Sequence, residues 1–179
     1  MEFEWYEECV SEDNSLQQGD FIPECPIVIP PVHIEEGSIP EIDVQQIDSI
    51  ILTQSCDLVS EKISIVLVCP FYPLKHWLDS MPIDQQSAKG RRRAIDDIRK
   101  GHRPGYHVLN KQEEGQILED YQVVDFRNVY GINYNLLKDI VAGTENRIRL
   151  LPPYREHLSQ AFARYFMRVG LPQDLRIEY

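Results

Sequence analysis

The chain has 179 residues, of which 42% are hydrophobic and 26% are charged, with a formal net charge of -11. This length fits one domain with a substantial core, or one domain with extensions. No apolar run approaches the roughly 20 residues that cross a bilayer. The acidic start, MEFEWYEECV, lacks the basic region of a signal peptide, so we expect a cytoplasmic protein.

Acidic and basic residues are distributed unevenly along the chain. Residues 1–61 contain fifteen of the 29 Asp and Glu residues and no Lys or Arg, whereas the remainder contains the other fourteen acids and all eighteen bases. The acidic first third repels phosphate backbones, while the basic remainder can attract phosphates or bind the acidic part. Two solvated surfaces of opposite charge would give the same pattern.

The N-terminal segments predict structure at the edge of a sheet. Residues 1–18 predict either a first edge strand or an acidic extension that becomes ordered on a partner. The segment 19–31, GDFIPECPIVIPP, contains four prolines, which lack the amide hydrogen needed in the centre of a sheet. Any strand there is expected to be short or at an edge. The alternation of Ile42, Val44 and Ile47 then predicts a strand that leads into the next element.

Residues 47–71, IDSIILTQSCDLVSEKISIVLVCPF, form the predicted centre of the fold. Two apolar runs, 50–52 and 63–69, are rich in β-branched residues and too short for helices, so they predict buried strands. The polar connection between them is too short for a parallel crossover, which indicates an antiparallel hairpin. We expect Ile51 and Val66 to be almost completely buried.

After this hairpin the sequence predicts helical structure followed by short strands. FYPLKHWLDSMP predicts a helical turn that packs Trp77, and 83–100 predicts a helix that ends at Gly101. Its inward residues are expected to be Ala94, Ile95 and Ile98. Shorter elements follow: a strand within 102–109, one or two strands within 117–132, a helix over 133–143 and a strand at 147–151.

The C-terminal segment has the strongest helical pattern. Apolar residues recur at i, i+3, i+4, i+7, i+8 and i+11 from Leu158, as in an amphipathic helix. The stripe consists of Leu158, Ala161, Phe162, Tyr165, Phe166 and Val169, within a helix predicted over 153–169. We expect Phe162 and Phe166 to pack on the sheet while Arg164 and Arg168 face away from that contact.

Several of these segments resemble the MazF/PemK-like toxins, whose fold is a small SH3-like β-barrel with helices packed against it. The matching segments are QGDF (18–21), SIILTQSCDL (49–58), ISIVLVCPFY (63–72), RPGYHVL (103–109), QVVDFRNV (122–129) and LLPPYREHLSQAF (150–162). The resemblance implies an α+β fold in one domain, residues 1–179, built on an SH3-like barrel. It further implies an acidic N-terminal extension at 1–18, a helical insertion at about 72–102 and a C-terminal amphipathic helix.

The residues that carry the family's chemistry are not matched. The toxins are ribosome-independent endoribonucleases, usually homodimers, with an arginine just before the first central strand and a threonine after the second. Ile47 and Tyr72 occupy these positions here. Attack by a 2′-hydroxyl needs a proton acceptor and a cation near the developing charge. The resemblance therefore implies a catalytically silent relative with no catalytic residues and no cofactor.

Arginine side chains are the strongest candidates for a nucleic-acid contact. The candidate binding residues of this kind are Arg91, Arg92, Arg93 and Arg127. Asp96 and Asp97 lie on adjacent helical turns and few aromatic residues are interleaved, so a solvated helix face explains the arginine cluster as well.

Polar residues of the hairpin connection and two histidines are further candidates. Gln54 and Asp57 are candidate binding residues, and Asp57 is also suited to accept hydrogen bonds from the amides of a turn. A nucleophilic Cys56 would need a base or a positive field, which the neighbouring sequence lacks. His102 and His107 flank a Pro-Gly turn and either take part in acid–base chemistry or lie at the surface. The four cysteines lack CxxC spacing, so no metal site is expected.

These observations favour a noncatalytic binding or regulatory protein. Proteins similar to MazF occur in bacterial defence loci, and the MazF-like subunits of CRISPR-associated Lon-protease systems sequester a sigma factor until cleaved. By this analogy of fold and charge, the acidic first third is expected to hold a basic, nucleic-acid-binding protein such as a sigma factor, or a protease. Direct nucleic-acid binding and homodimerisation stay open, and no membrane is involved. The alternative is a MazF-like endoribonuclease that uses displaced residues, either Arg127 or the arginines at 91–93.

The longest departure from a minimal barrel is residues 72–116, which combine a basic helix with a Pro-Gly turn and a polar run. Long connections of this kind tend to be functional or open to proteolysis. We expect this segment to be the switchable part of the molecule.

Overall fold

The computed structural model describes residues 3–10, 13–34, 36–37, 39–60, 62–112, 118–144 and 147–167. Its strands are β1 (Tyr6–Cys9), β2 (Phe21–Ile29), β3 (Asp43–Ile51), β4 (Ile65–Pro73), β5 (Tyr106–Leu109), β6 (Gln122–Asp125), β7 (Tyr130–Asn133) and β8 (Arg147–Leu150). Its helices are α1 (Ser55–Val59), α2 (Leu74–Asp79), α3 (Ala88–Arg99), α4 (Tyr134–Ala142) and α5 (Tyr154–Phe166), with a 3₁₀ turn at Ile83–Gln85. The fold is α+β with antiparallel strand pairs.

Strand β4 is the centre of the larger sheet, whose strand order is β2-β3-β4-β6-β5 with β7 also paired to β4. The first half of β4 pairs with β7, and its last three residues pair with β6. Val68 lies opposite Tyr130, and Phe71 lies opposite Val124. A shift of three residues along β4 therefore corresponds to a shift of six residues in the segment that contains β6 and β7. The extra residues form the turn between β6 and β7, which carries Arg127. The central hairpin of β3 and β4 is antiparallel, as predicted.

A second, two-stranded sheet joins the two ends of the described chain. Strand β1 pairs along its whole length with β8, and an isolated bridge between Asp20 and Arg149 connects β8 to the start of β2. The Tyr6 hydroxyl of β1 donates to the carbonyl of Asn110, just after β5. No ladder of backbone hydrogen bonds joins β1 to β5 within the described ranges, so this contact is the link between the outer strands there.

Alternation along the central strands fills two cores, one on each face of the sheet. Ile51 and Val66 are fully buried in the core under α4, whereas Ile50, next to Ile51, is fully buried in the core under α5. Successive side chains of a strand point to opposite faces, so a continuous apolar run supplies both cores. The predicted burial of Ile51 and Val66 is confirmed.

The predicted helical segment after β4 packs as a third, smaller core. Trp77 on α2 and Ala94 and Ile98 on α3 are buried against Val123 of β6. Helix α3 begins at Ala88 instead of 83, because Ser87 caps it by accepting a hydrogen bond from the Gly90 amide at 3.1 Å. The predicted end is confirmed, since the amide of Gly101, which has φ 73°, donates to the carbonyl of Ile98 at 2.9 Å.

The C-terminal helix departs from its prediction at the end of its apolar stripe. Phe162 packs against the core beneath α5, with its ring centroid 5.5 Å from that of Phe126. Phe166 is 59% exposed and contacts Phe162 and Tyr165 instead of the sheet. The prediction for Phe166 is therefore wrong, because its ring contacts aromatic side chains of its own helix. Arg164 is exposed as expected, and Arg168 lies outside the described residues.

One local expectation in the first half of the chain also needs correction. The polar connection after β3 contains helix α1, where the sequence predicted only a turn.

Strand β2 lies at the edge of the larger sheet, which confirms the prediction for the proline-rich segment, and it runs for nine residues. A register shift between Ile22 and Cys25 accommodates Pro23 and Glu24, so the missing proline amide interrupts no ladder.

Across the part of the chain that the structure describes, none of the helices has the length and apolar character to cross a membrane.

We predict that Ile51→Ala lowers the free energy of unfolding by about 2–5 kcal/mol, through lost burial and the cavity that remains. The matched control is Ile42→Ala, because Ile42 is 61% exposed and its truncation leaves no cavity. Urea denaturation of both variants checks the prediction, and an equal loss in the two would contradict it.

Candidate binding site

Part of the acidic N-terminal segment is neutralised inside the protein. Asp20 is fully buried and accepts hydrogen bonds from Arg147 Nη1 at 3.1 Å and from Arg149 Nη2 at 3.2 Å. Both arginines also donate to the carbonyl of Ser15, at 2.9 and 3.1 Å, and Arg149 reaches Asp13 Oδ2 at 3.1 Å. We call Asp13, Asp20, Arg147 and Arg149 the ion cluster. These acids are therefore committed to the fold and are not free for a partner.

The protonation of the ion cluster follows from its geometry. Burial is the largest single effect and lowers the pKa of Arg149, but the hydrogen bond to Asp20 and the negative charges of Asp20 and Asp13 together outweigh it, so the pKa is raised. The guanidinium therefore stays charged. A buried charge of this kind is tolerated only while its partner is present.

The three consecutive arginines of α3, at 91–93, do not converge on one site. Arg91 donates to Asp79 Oδ1 at 2.7 Å and to the Gln86 carbonyl at 3.1 Å. Arg93 lies 4.0 Å from Asp97 with its side chain 85% exposed. Arg92 is exposed and has no carboxylate partner among the described residues. Consecutive residues are about 100° apart around a helix, so these side chains point in different directions.

Arg127 is half exposed but already engaged on two sides. Its Nε and Nη2 donate to Asp125 at 2.9 and 2.7 Å, and its guanidinium lies 4.4 Å above the ring of Tyr106. The hydrogen bond to Asp125 is the main reason that the pKa of Arg127 is raised. The Asp125 carboxylate offsets the charge that a phosphate would meet.

Ile47 and Tyr72, the positions that match the toxin arginine and threonine, have different surroundings. Ile47 is partly buried against the core beneath α4. Tyr72 has a raised pKa, chiefly from burial and then from the charge of Asp125. It lies opposite Val123 of β6, two residues before the Asp125 that binds Arg127, while Ile47 supplies packing.

The hairpin connection offers little chemistry. Cys56 is exposed, and its Sγ lies 3.8 Å from Gln54 Oε1 and 3.9 Å from Asp57 Oδ1. The backbone amide of Leu67, on β4 after this connection, donates a hydrogen bond to Thr53 Oγ1 at 2.7 Å. Among the described residues, Thr53 thus has the turn role expected of Asp57. No group of three metal-ligating side chains is arranged to hold an ion in these ranges.

His102 and His107, which the sequence analysis considered together, have different neighbours in the structure. His102 is exposed and lies 3.7 Å from Asp97, whereas His107 is partly buried near His157 on α5. Burial, with a smaller effect of His157, lowers the pKa of His107 to about 4. His107 is therefore neutral at physiological pH.

His107 and His157 line a cleft of about 320 Å³ between the end of α3, β5 and α5. Three cations, Arg99, Lys100 and Arg164, share this lining. We call it the basic cleft. Sequence analysis missed it, because Arg99 and Arg164 are separated by most of the C-terminal half and only tertiary packing joins them.

The hairpin of β2 and β3 carries a surface of opposite character. Val28 and Val44 lie directly opposite each other and are 55% and 51% exposed. Five exposed acids accompany them, with no salt bridge to any described residue: Glu24, Glu36, Glu41, Asp43 and Asp48. The hairpin contains no Lys or Arg. We call this surface the acidic hairpin.

We predict that Asp20→Asn lowers the free energy of unfolding by about 3–5 kcal/mol, since two buried guanidiniums lose the fully buried carboxylate that they share. Asp43→Asn, an exposed change of the same kind, is the control and should shift stability little. Thermal and urea unfolding compare the two, and an Asp20→Asn protein as stable as the control would contradict the role of the ion cluster.

We predict that acid destabilises the protein through His107. The unfolded chain binds a proton at His107 near pH 6.5 while the folded protein resists until about pH 4, so stability is present above pH 6.5 and is lost as pH falls through this window. The loss between pH 7.5 and 5 is about 2 kcal/mol. His107→Gln should remove this part of the pH dependence, whereas His102→Gln should keep it. Urea titrations at several pH values measure the difference.

Comparison with known protein families found none that matches the chain, and a search of curated proteins found no match either. The function is therefore inferred from the geometry and charge of its surfaces.

Proposed function

We propose that the chain is a noncatalytic binding protein that holds a basic, nucleic-acid-binding protein through the acidic hairpin. The observation that carries the proposal is the charge of this surface: its acids have no cation among the described residues, whereas Asp13 and Asp20 are neutralised in the ion cluster. Unpaired acids beside exposed valines offer a basic partner both charge complementarity and apolar contact. A sigma factor is one partner with this chemistry.

Strand pairing adds a second means of attachment to the acidic hairpin. Strand β2 ends the strand order of the larger sheet, and beyond the bridge between Asp20 and β8 its outer edge has no strand partner among the described residues. An extended segment of a partner can pair with such an edge, with alternate side chains contacting the neighbouring pockets. Backbone pairing would supply affinity, and the surrounding acids would select a basic segment.

We also propose that the strands form an SH3-like barrel of the MazF kind. The support is the order in which strands approach one another: β1 and β8 join β2 through the bridge at Asp20, and Tyr6 meets Asn110 after β5. The packed helices α2 and α3 correspond to the insertion expected at about 72–102. In this proposal the acidic hairpin and β4 are part of the barrel.

The alternative function, an endoribonuclease with displaced residues, has one observation in its favour, the nearness of Tyr72 to Arg127. The bidentate contact of Arg127 with Asp125 argues against it, because the cation is already neutralised. Incubation with structured and unstructured RNA separates the two functions. Specific cleavage by the native protein that disappears in Arg127→Ala would favour the ribonuclease.

We predict that changing the acidic hairpin releases a basic protein partner that co-purifies from the native host. The triple variant Glu41→Gln, Asp43→Asn and Val44→Ser should weaken binding about tenfold or more, since charge and central apolar contact are lost together. The matched control, Glu4→Gln, Asp139→Asn and Val59→Ser, changes the same residue types at exposed positions elsewhere. Binding lost equally in both variants, or a partner that is not basic, would contradict the proposal.

We further propose that proteolysis in 72–116 releases the partner, and we predict that the first cut falls between Ser80 and Gln116. The two fragments should stay associated, because the cut severs neither central strand and β4 pairs with β6 and β7 across it. Limited digestion with a protease of broad specificity, followed by mass spectrometry and gel filtration, tests this. First cuts within 1–18 or after Gly170 would contradict it.

A further inference from the structure

Two cavities lie on either side of Arg99, away from the acidic hairpin. One is the basic cleft. The other, of about 520 Å³, lies between α2, α3, β5 and the N-terminal segment and is lined mainly by Trp5, Leu74, Ile95, Val108 and Tyr121. We call it the apolar cavity. Arg99 lines both cavities, so the two meet at this side chain.

The charge around these cavities is unusual for this protein. The chain has 29 acidic residues and a net charge of -11, yet no carboxylate lines either cavity in the described structure. Arg99, Lys100 and Arg164 form no salt bridge with any described residue, and Arg164 lies beside the backbone of Gly101. Three uncompensated cations at one end of a concave surface favour an anion.

The apolar cavity has fixed walls. The ring of Trp5 is stacked on Tyr154 with centroids 3.5 Å apart and planes 9° from parallel. Leu74 and Ile95 approach from α2 and α3, and Val108 from β5. The volume falls in the range of small-molecule sites, about 300–1,000 Å³. Such a surface buries an apolar body without having to order itself first.

We infer that the two cavities together bind an organic anion with an apolar body, such as an alkyl or aryl carboxylate. The anionic head lies in the basic cleft against Arg99, Lys100 and Arg164, and the body lies in the apolar cavity beside Trp5. A nucleic-acid strand fits less well, because its phosphates need cations repeated along its path, and here the cations are confined to one end.

The test uses the full-length protein with octanoate and 2-naphthoate as probes, and with 1-octanol and acetate as controls for the head and the body. Calorimetry measures affinity, and amide shifts in NMR spectra locate the contact. Both anionic probes should bind saturably and shift the amides of Arg99 and Val108. Octanol and acetate should each bind at least about tenfold more weakly than octanoate, since each lacks one of the two contacts.

Variants at the cations complete the test. Arg99→Gln and Arg164→Gln should each weaken octanoate binding about tenfold, with an unchanged melting temperature because both side chains are exposed. Arg92→Gln is the matched control, as it removes an equal charge from the same helix outside both cavities. The inference is overturned if neither anion saturates, if octanol binds as well as octanoate, if Arg92→Gln has the same effect as Arg99→Gln, or if oligouridylate displaces octanoate at lower concentration than octanoate itself binds.

Discussion

The ion cluster is the interaction on which the assembly of the two sheets depends. Asp20 stands at the start of β2 and its partners Arg147 and Arg149 stand on β8, so one carboxylate joins the larger sheet to the smaller. The backbone bridge between Asp20 and Arg149 lies at the same place. Because a buried charge without a partner is costly, this contact permits one arrangement of the N-terminal segment. The acidic stretch that precedes β2 is therefore held against the body of the protein.

Two surfaces of opposite charge lie outside the ion cluster. Five exposed acids lie on the acidic hairpin, and Arg99, Lys100 and Arg164 line the basic cleft. The acidic hairpin and the basic cleft share no residue, so they are separate surfaces. A basic protein and a small anion can then bind without competing. The proposals for the two surfaces therefore succeed or fail independently.

Local patterns predicted the elements well where the pattern came from neighbouring residues. The apolar runs around Ile51 and Val66 became the central hairpin, and Gly101 ends α3 as expected. The same reasoning failed for Phe166, whose place in the apolar stripe says nothing about where the sheet ends. It also overvalued the arginines at 91–93, since adjacency in a helix separates side chains in space.

The sequence by itself determined the two buried central strands, the amphipathic helices and the excess of acid in the first third, because periodicity and composition are properties of adjacent residues. It contained all four members of the ion cluster but could not pair Asp20 with Arg147 and Arg149, which lie more than a hundred positions away. Only the tertiary structure decided which acids are neutralised and which stay free, and it alone brought Arg99, His107 and Arg164 to one cleft. The physical reason is that contacts between distant segments depend on how the sheets and helices pack, and no local pattern encodes that packing.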